Sequence, residues 1–263
     1  MIPIGICTDF TNLPDAHALG YDFMEIPLDA LSALSDAYFE EFAAWCAGSG
    51  VRVQAVNHML PEGMDIVGPN VKAAELHAYL SRAFERCQRL SVRVVTLDAA
   101  LARTVPEGFD YPMAWRQLGN FLRLCQGHAR ECGLVIAAEP LRKTDCNLMN
   151  LVSEATLLSG LLQLGNVGVA ANTGSMAMAA EPVTALTRTG NSLCHVHIEH
   201  PLTRRMPREG DGEDYFGLMR VLKKQSYVGG VSVVWNKSDD FVGDARAALI
   251  CLREAQRNGE LNN

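Results

Sequence analysis

The chain predicts an α/β fold of the (β/α)8, or TIM, barrel type, with residues 1–263 forming a single domain. Three observations carry that prediction. Eight short β-rich runs alternate with longer helical patterns from one end to the other. The runs are predominantly apolar, as strands buried on both faces of a parallel sheet are. Seven of the eight finish on a polar or ionisable side chain, and the C-terminal strand ends are where barrels of this kind keep their chemistry. A chain of this length commonly closes as one α/β barrel. "GICTDF" after the first run is not a glycine-rich phosphate fingerprint, which argues against an open dinucleotide-binding sheet.

Taken in order, the strands are expected at 2–7 (IPIGIC), 21–26 (YDFMEI), 51–57 (VRVQAVN), 92–97 (VRVVTL), 134–139 (LVIAAE), 167–172 (VGVAAN), 193–198 (LCHVHI) and 230–235 (GVSVVW). Between them, Phe39, Phe42, Ala43 and Cys46 recur at the i, i+3, i+4, i+7 spacing of one helix face. Leu76, Leu80, Ala83 and Cys87 repeat the pattern, and the helix through 113–132 ends on Gly133, a residue suited to a left-handed C-cap. The strand ends then present Thr8 and Asp9, Glu25, Asn57 and His58, Asp98, Glu139, Asn172, His197, and Trp235 with Asn236. A ring of such groups marks a pocket.

Composition narrows the function. The chain is 48% hydrophobic and 20% charged, with no stretch long enough to span a membrane. Its opening, MIPIGICTDF, lacks the basic and apolar regions of a signal peptide. Eight cysteines lie scattered in apolar segments without a CxxC pair, the pattern of reduced thiols in a cytoplasmic protein. A net charge of −7 argues against nucleic acid as a partner, and the basic run TRRMPR (203–208) reads as a solvated loop. A homo-oligomer is left open.

The run HVHIEHP (195–201) holds three of the seven histidines. On a strand, His195 and His197 share one face. Two ligands are too few for a metal, which needs three or four, so the rest of any site must come from other strands. His195 reads as a structural histidine. Arg103, in ALARTVPEG, faces either the pocket mouth or solvent.

Several long motifs in order resemble the xylose-isomerase-like TIM barrels, which include sugar (phosphate) isomerases and epimerases of the tagatose-epimerase type. The pieces are ARTVPEGFDYPMAWRQL (102–118), GLVIAAEPLRKTDCNLMNLVSEA (133–155), the region from HVHIEHP to GGVSVV, and the early YDFMEIPLDALSALSDAYFEEF. The resemblance implies one divalent metal held by Glu, Asp, His and Glu from strands five to eight, with two of the carboxylates moving a proton between adjacent sugar carbons. Carried onto this chain, those positions are Glu139, Asn172 in place of Asp, His197, and Trp235 in place of Glu. Ser175 stands where the family has a substrate-binding His. Asp145 falls on the family's second substrate-contacting acid, and Arg204 or Arg205 on its basic contact.

The expected site therefore has Glu139 as its catalytic residue and Glu139, His197 and Asn172 as a vestigial metal set. Asp145, Ser175, Arg204, Arg205, Trp235, His58 and Glu25 are its substrate contacts. The expected cofactor is none, or a weakly bound divalent Mn, Co, Zn or Mg ion. The function implied is a sugar (phosphate) isomerase- or epimerase-like protein acting on or binding a small carbohydrate or sugar phosphate, with its metal and acid/base site partly lost. Two alternatives stand beside it: a catalytically silent carbohydrate-binding or regulatory barrel, and an endonuclease-type relative. The second is disfavoured by an acidic, histidine-poor chain.

Overall fold

The computed structural model describes residues 1–261. Eight strands alternate with helices: β1 (Ile4–Cys7), α1 (Leu13–Ala18), β2 (Phe23–Pro27), α2 (Leu28–Ala33), α3 (Asp36–Ser49), β3 (Val53–Asn57), α4 (Ala73–Arg89), β4 (Val94–Leu97), α5 (Ala100–Arg103), α6 (Tyr111–Cys132), β5 (Val135–Ala138), α7 (Val152–Leu162), β6 (Val167–Asn172), α8 (Thr173–Met178), β7 (Leu193–Ile198), α9 (Tyr215–Lys224), β8 (Gly230–Val233) and α10 (Phe241–Leu261). The strands pair in sequence order, all parallel, and β8 returns to β1 through Ile4–Val231 and Ile6–Val233, closing the barrel. Several strands are shorter than the apolar runs predict. The first, third and fourth begin two residues later, and the last stops at Val233 rather than Trp235. The strands at 167–172 and 193–198 lie where expected.

Local chemistry sets the helix ends. Ser35 caps α3 by accepting from the Tyr38 amide, and Asp110 caps α6 by accepting from Met113. Gly50 and Gly133 end the same two helices with φ of 75° and 71°, a conformation glycine adopts without Cβ strain. Helix α4 buries Leu76, Leu80, Ala83, Phe84 and Cys87 against the barrel. Among the described residues, no helix is long and apolar enough to cross a membrane.

The end of the barrel remote from the mouth is filled by one ring. Phe23 is 1% exposed, and a Cβ at Gly5 of β1 would lie 2.3 Å from its Cε2, one at Gly230 of β8 2.6 Å from its Cζ. Two glycines on adjoining strands thus hollow the wall to admit the phenyl ring, whose edge then supports the His195 imidazole 6.3 Å away. Gly5→Ala should cost about 1–3 kcal/mol by overpacking and shift the urea midpoint accordingly. An unchanged midpoint would mean the ring has room that this packing denies it.

Candidate active site at the C-terminal mouth

The mouth is built from strand ends, and its loops carry backbone strain. His58, directly after β3, and Met149 and Arg204, in the segments after β5 and β7, sit at φ of 45°, 60° and 50°. Such conformations persist in non-glycine residues only where surrounding contacts hold them. Asp98 supplies one such hold: its carboxylate accepts from the backbone amides of His58 and Met59, 3.0 and 3.3 Å away.

Inside the mouth a continuous polar network crosses the barrel from β2 to β6. Both ring nitrogens of His197 meet carboxylates: Nδ1 lies 2.9 Å from Glu139 Oε2 and Nε2 lies 2.9 Å from Glu25 Oε1. The other oxygen of Glu25 meets His195 Nε2 at 2.8 Å, and that nitrogen also reaches Ser232 Oγ at 3.1 Å. Asn172 Nδ2 donates to Glu139 Oε1 at 3.0 Å, while its Oδ1 accepts from the Ser175 amide. Glu25 is fully buried, and Glu139, His195 and His197 nearly so. Two buried carboxylates are tolerable only because a cation and neutral donors satisfy them.

The protonation states follow. Burial opposes charge on His197, but the carboxylates of Glu139 and Glu25 outweigh it and hold the imidazolium well above the usual histidine range. Burial likewise pushes Glu25 up, and His197 with His195 overrides it, leaving the carboxyl well below the usual range. Glu139 is also lowered, burial being overcome by His197 and by the donated Asn172 hydrogen bond. Carboxyls with depressed values stabilise the fold above their ordinary pKa and lose that contribution as pH falls through the folded value. His197, raised, contributes fully below its ordinary value and loses the contribution as pH rises through the folded one. The melting temperature of the metal-free protein should therefore hold across the neutral range and fall on acidification below about pH 4, the ordinary carboxylate range. A melting temperature that climbs through that acid range would contradict the assignment.

The family's divalent-metal set does not fit these residues. Asn172 turns its N–H toward Glu139, so a donor stands where a metal needs a lone pair. Trp235 offers only an indole N–H, which donates to the Cys7 carbonyl at 2.8 Å.

Around this centre the predicted contacts separate. Asp145 pairs with Arg204, both partly exposed at the rim. The Arg205 carbonyl accepts from the His200 amide, and its buried Nε makes no hydrogen bond. Ser175 is buried on α8, touching Asn172 through its backbone. Trp235 is half-buried and leans on Phe241, ring centroids 5.5 Å apart. His58 is exposed at the edge. Glu25 faces the two histidines.

Two expectations are corrected. Arg103 is neither in solvent nor at the opening: it is fully buried, donating to the carbonyls of Leu97 and Glu139 at 3.2 and 2.6 Å, and so braces the β4 and β5 ends. The run 203–208 is only partly solvated: Thr203 and Arg208 are exposed, but Met206 and Pro207 are buried and Arg204 and Arg205 half-buried, and Arg204 meets Asp145 while its carbonyl accepts from the Asn236 amide.

Several partners escape the sequence reading. Arg142 and Glu199 form a buried ion pair at 2.5 Å, and Arg142 also donates to the Pro201 carbonyl at 2.6 Å. A Cβ at Gly174 would lie 2.7 Å from Arg142 Nη2, so only glycine admits the pair at that point. Cys7 sits 8% exposed beside Glu25 and His197, its thiol pushed up by burial first and by Glu25 second. The adjacency of GIC to a strand end was the available signal for Cys7. Nothing in the spacing of Arg142 and Glu199 announces their pairing.

Comparison with known proteins places the fold. No curated protein matches the chain. Among solved structures, a 3-keto-D-glucoside 4-epimerase from E. coli superposes with a TM-score of 0.83 at 19% identity, covering 97% of this chain and 100% of that one. A D-psicose 3-epimerase from Clostridium cellulolyticum H10, solved with D-tagatose, gives 0.83 at 19% identity over 97% and 99%. An AP endonuclease, family 2, from Brucella melitensis gives 0.76 at 18% identity over 93% and 96%. At these identities the likeness is one of fold. A family model described as xylose isomerase-like TIM barrel matches residues 13–255, and the chain belongs to that family.

Proposed function

We propose that the chain is a carbohydrate-directed barrel of the isomerase/epimerase type that works without the family's hard-metal, two-carboxylate machinery. The observation that carries this reading is the tethering of Glu139. Each of its oxygens already accepts an N–H, from Asn172 and from His197, and the position of the second exchanging carboxylate is Trp235. A proton acceptor held below its ordinary pKa and doubly hydrogen-bonded is a weak base. It is well suited to orienting a hydroxyl.

An unphosphorylated sugar suits the rim better than a sugar phosphate. Arg142 and Arg204 are both neutralised, by Glu199 and Asp145, so a phosphate would have to break an ion pair or turn to the half-buried Arg205 guanidinium. The partly exposed Asp145–Arg204 pair offers an acceptor and donors side by side, the arrangement that vicinal hydroxyls match. The half-buried Trp235 indole adds an apolar face.

Titration of the purified protein with unphosphorylated ketoses and with sugar phosphates, followed by indole fluorescence and melting temperature, tests the proposal. The reading predicts responses to one or more neutral sugars, weakened by Asp145→Ala. Responses confined to phosphates, or none up to millimolar levels, would sink it. A second reading, a silent binding barrel, is favoured by the same tethered Glu139. Binding without conversion of the bound sugar, followed by NMR, would establish it.

A further inference from the structure

We propose that Cys7, Glu25 and His197, from the ends of β1, β2 and β7, form a zinc-type metal centre in the mouth that shares only His197 with the positions the family resemblance implies. One ligand atom from each of the three lies within 4.8 Å of the others. Ligands on a single four-coordinate zinc, at about 2.0–2.3 Å each, stand roughly 3.3–3.8 Å apart, so the cluster needs only side-chain adjustment to close on an ion. The three come from three strands, and β1 and β2 pair through Cys7–Glu25 itself. Their relative positions are therefore fixed by the barrel wall.

The donor set selects the ion. A thiolate, an imidazole and one carboxylate suit Zn²⁺ or Co²⁺, whereas Mg²⁺ and Mn²⁺ prefer oxygen donors. Cys7 as thiolate and Glu25 as carboxylate together balance a dication in a site where every ligand residue is at most 8% exposed. Three protein ligands leave a fourth position for water or a sugar oxygen, as in catalytic zinc sites.

The surrounding contacts are those a metal-bound histidine requires. Binding through Nε2 needs Nδ1 to carry the proton, and Nδ1 lies 2.9 Å from Glu139 Oε2. Carboxylate–histidine–metal chains of this kind fix the tautomer and ring orientation. Glu139 is in turn held by Asn172 Nδ2, a donation that an aspartate at 172 could not make. The second oxygen of Glu25 is held by His195, which Ser232 supports. On this account Asn172 is the outer support of a re-sited centre, and Glu139 has moved from ligand to orienter. In the ion-free state the proton on His197 Nε2 stands between it and Glu25.

Reconstitution of chelator-treated protein with Co²⁺ tests the site without any enzymatic assay. Wild type should bind about one ion per chain in a four-coordinate geometry, with visible d–d bands and a near-ultraviolet thiolate-to-cobalt band, and Zn²⁺ should displace it. Zn²⁺ should also raise the melting temperature. Cys7→Ser should abolish the thiolate band and most of the Zn²⁺-induced rise, while its own metal-free melting curve reports that it folds. Cys46→Ser, altering a thiol on α3, should leave both signals intact. A wild type without a thiolate band and without a Zn²⁺ response would overturn the proposal, and so would a band that survives Cys7→Ser.

Discussion

His197→Leu is expected to destabilise the metal-free protein by about 3–5 kcal/mol at neutral pH, the range for removing one partner of a buried ionic group. The variant keeps the bulk of the side chain and deletes the cation between Glu25 and Glu139. Those carboxylates are 0% and 1% exposed, so water cannot replace the lost partner. Each then relieves its charge by taking up a proton, which becomes easier as pH falls. The stability gap between variant and wild type should therefore narrow on acidification. Urea denaturation at neutral and mildly acid pH reads this directly. A gap that does not change with pH would mean the residue contributes packing alone.

The second large effect is expected at the rim. Arg142→Met should cost about 3–5 kcal/mol, because it leaves Glu199 buried without its partner. Both side chains of this pair are 7% exposed, and Arg142 additionally ties the Pro201 carbonyl. Burial already raises the Glu199 pKa, with Arg142 opposing it, so removing Arg142 should raise it further. Adding Glu199→Gln should recover part of the loss, since a neutral amide avoids the stranded charge. The pair clamps the loop after β7 against the loop after β5, which carries Asp145. Sugar binding should weaken in the single variant as the rim loosens. If the double variant is no more stable than the single, the electrostatic account of the clamp fails.

The fold was legible because it repeats one simple pattern. An apolar run followed by a crossover recurs eight times, and the helices of 36–49, 73–89 and 111–132 declare themselves through local periodicity. The strands at 167–172 and 193–198 lie at the residues that periodicity marks. Glu139, Asn172, His197 and Glu25 were recognisable as inward-facing strand-end groups, and the structure joins them in one network. What periodicity cannot supply is who pairs with whom across the barrel. Glu25 and His197 are 172 residues apart, and nothing in either neighbourhood encodes that contact. Cys7 looked like one more buried thiol among eight, and only the pairing of β1 with β2 and the closure of β8 onto β1 give it its neighbours. Arg103 and the 203–208 run misled for a related reason. Charged residues between strands read as solvated until their partners are seen, here the Glu139 carbonyl for Arg103 and the Asp145 carboxylate for Arg204.

The proposed function turns on which strand ends at the mouth are electrostatically competent for an ion. On that reading, Asn172 and Trp235 stand where the family resemblance implies two anionic ligands, and a neutral amide and an indole offer a hard dication little attraction. The measurement that tests this most directly is the melting temperature, with and without Mn²⁺, of chelator-treated wild type and of the triple variant Asn172→Asp, Ser175→His, Trp235→Glu. The triple variant restores carboxylates at both lost positions around Glu139 and His197. The account predicts a Mn²⁺-induced rise in the triple variant, by mass action, and none in wild type. An equal rise in wild type would contradict it, because the existing residues would then already hold the ion they have been argued unable to bind.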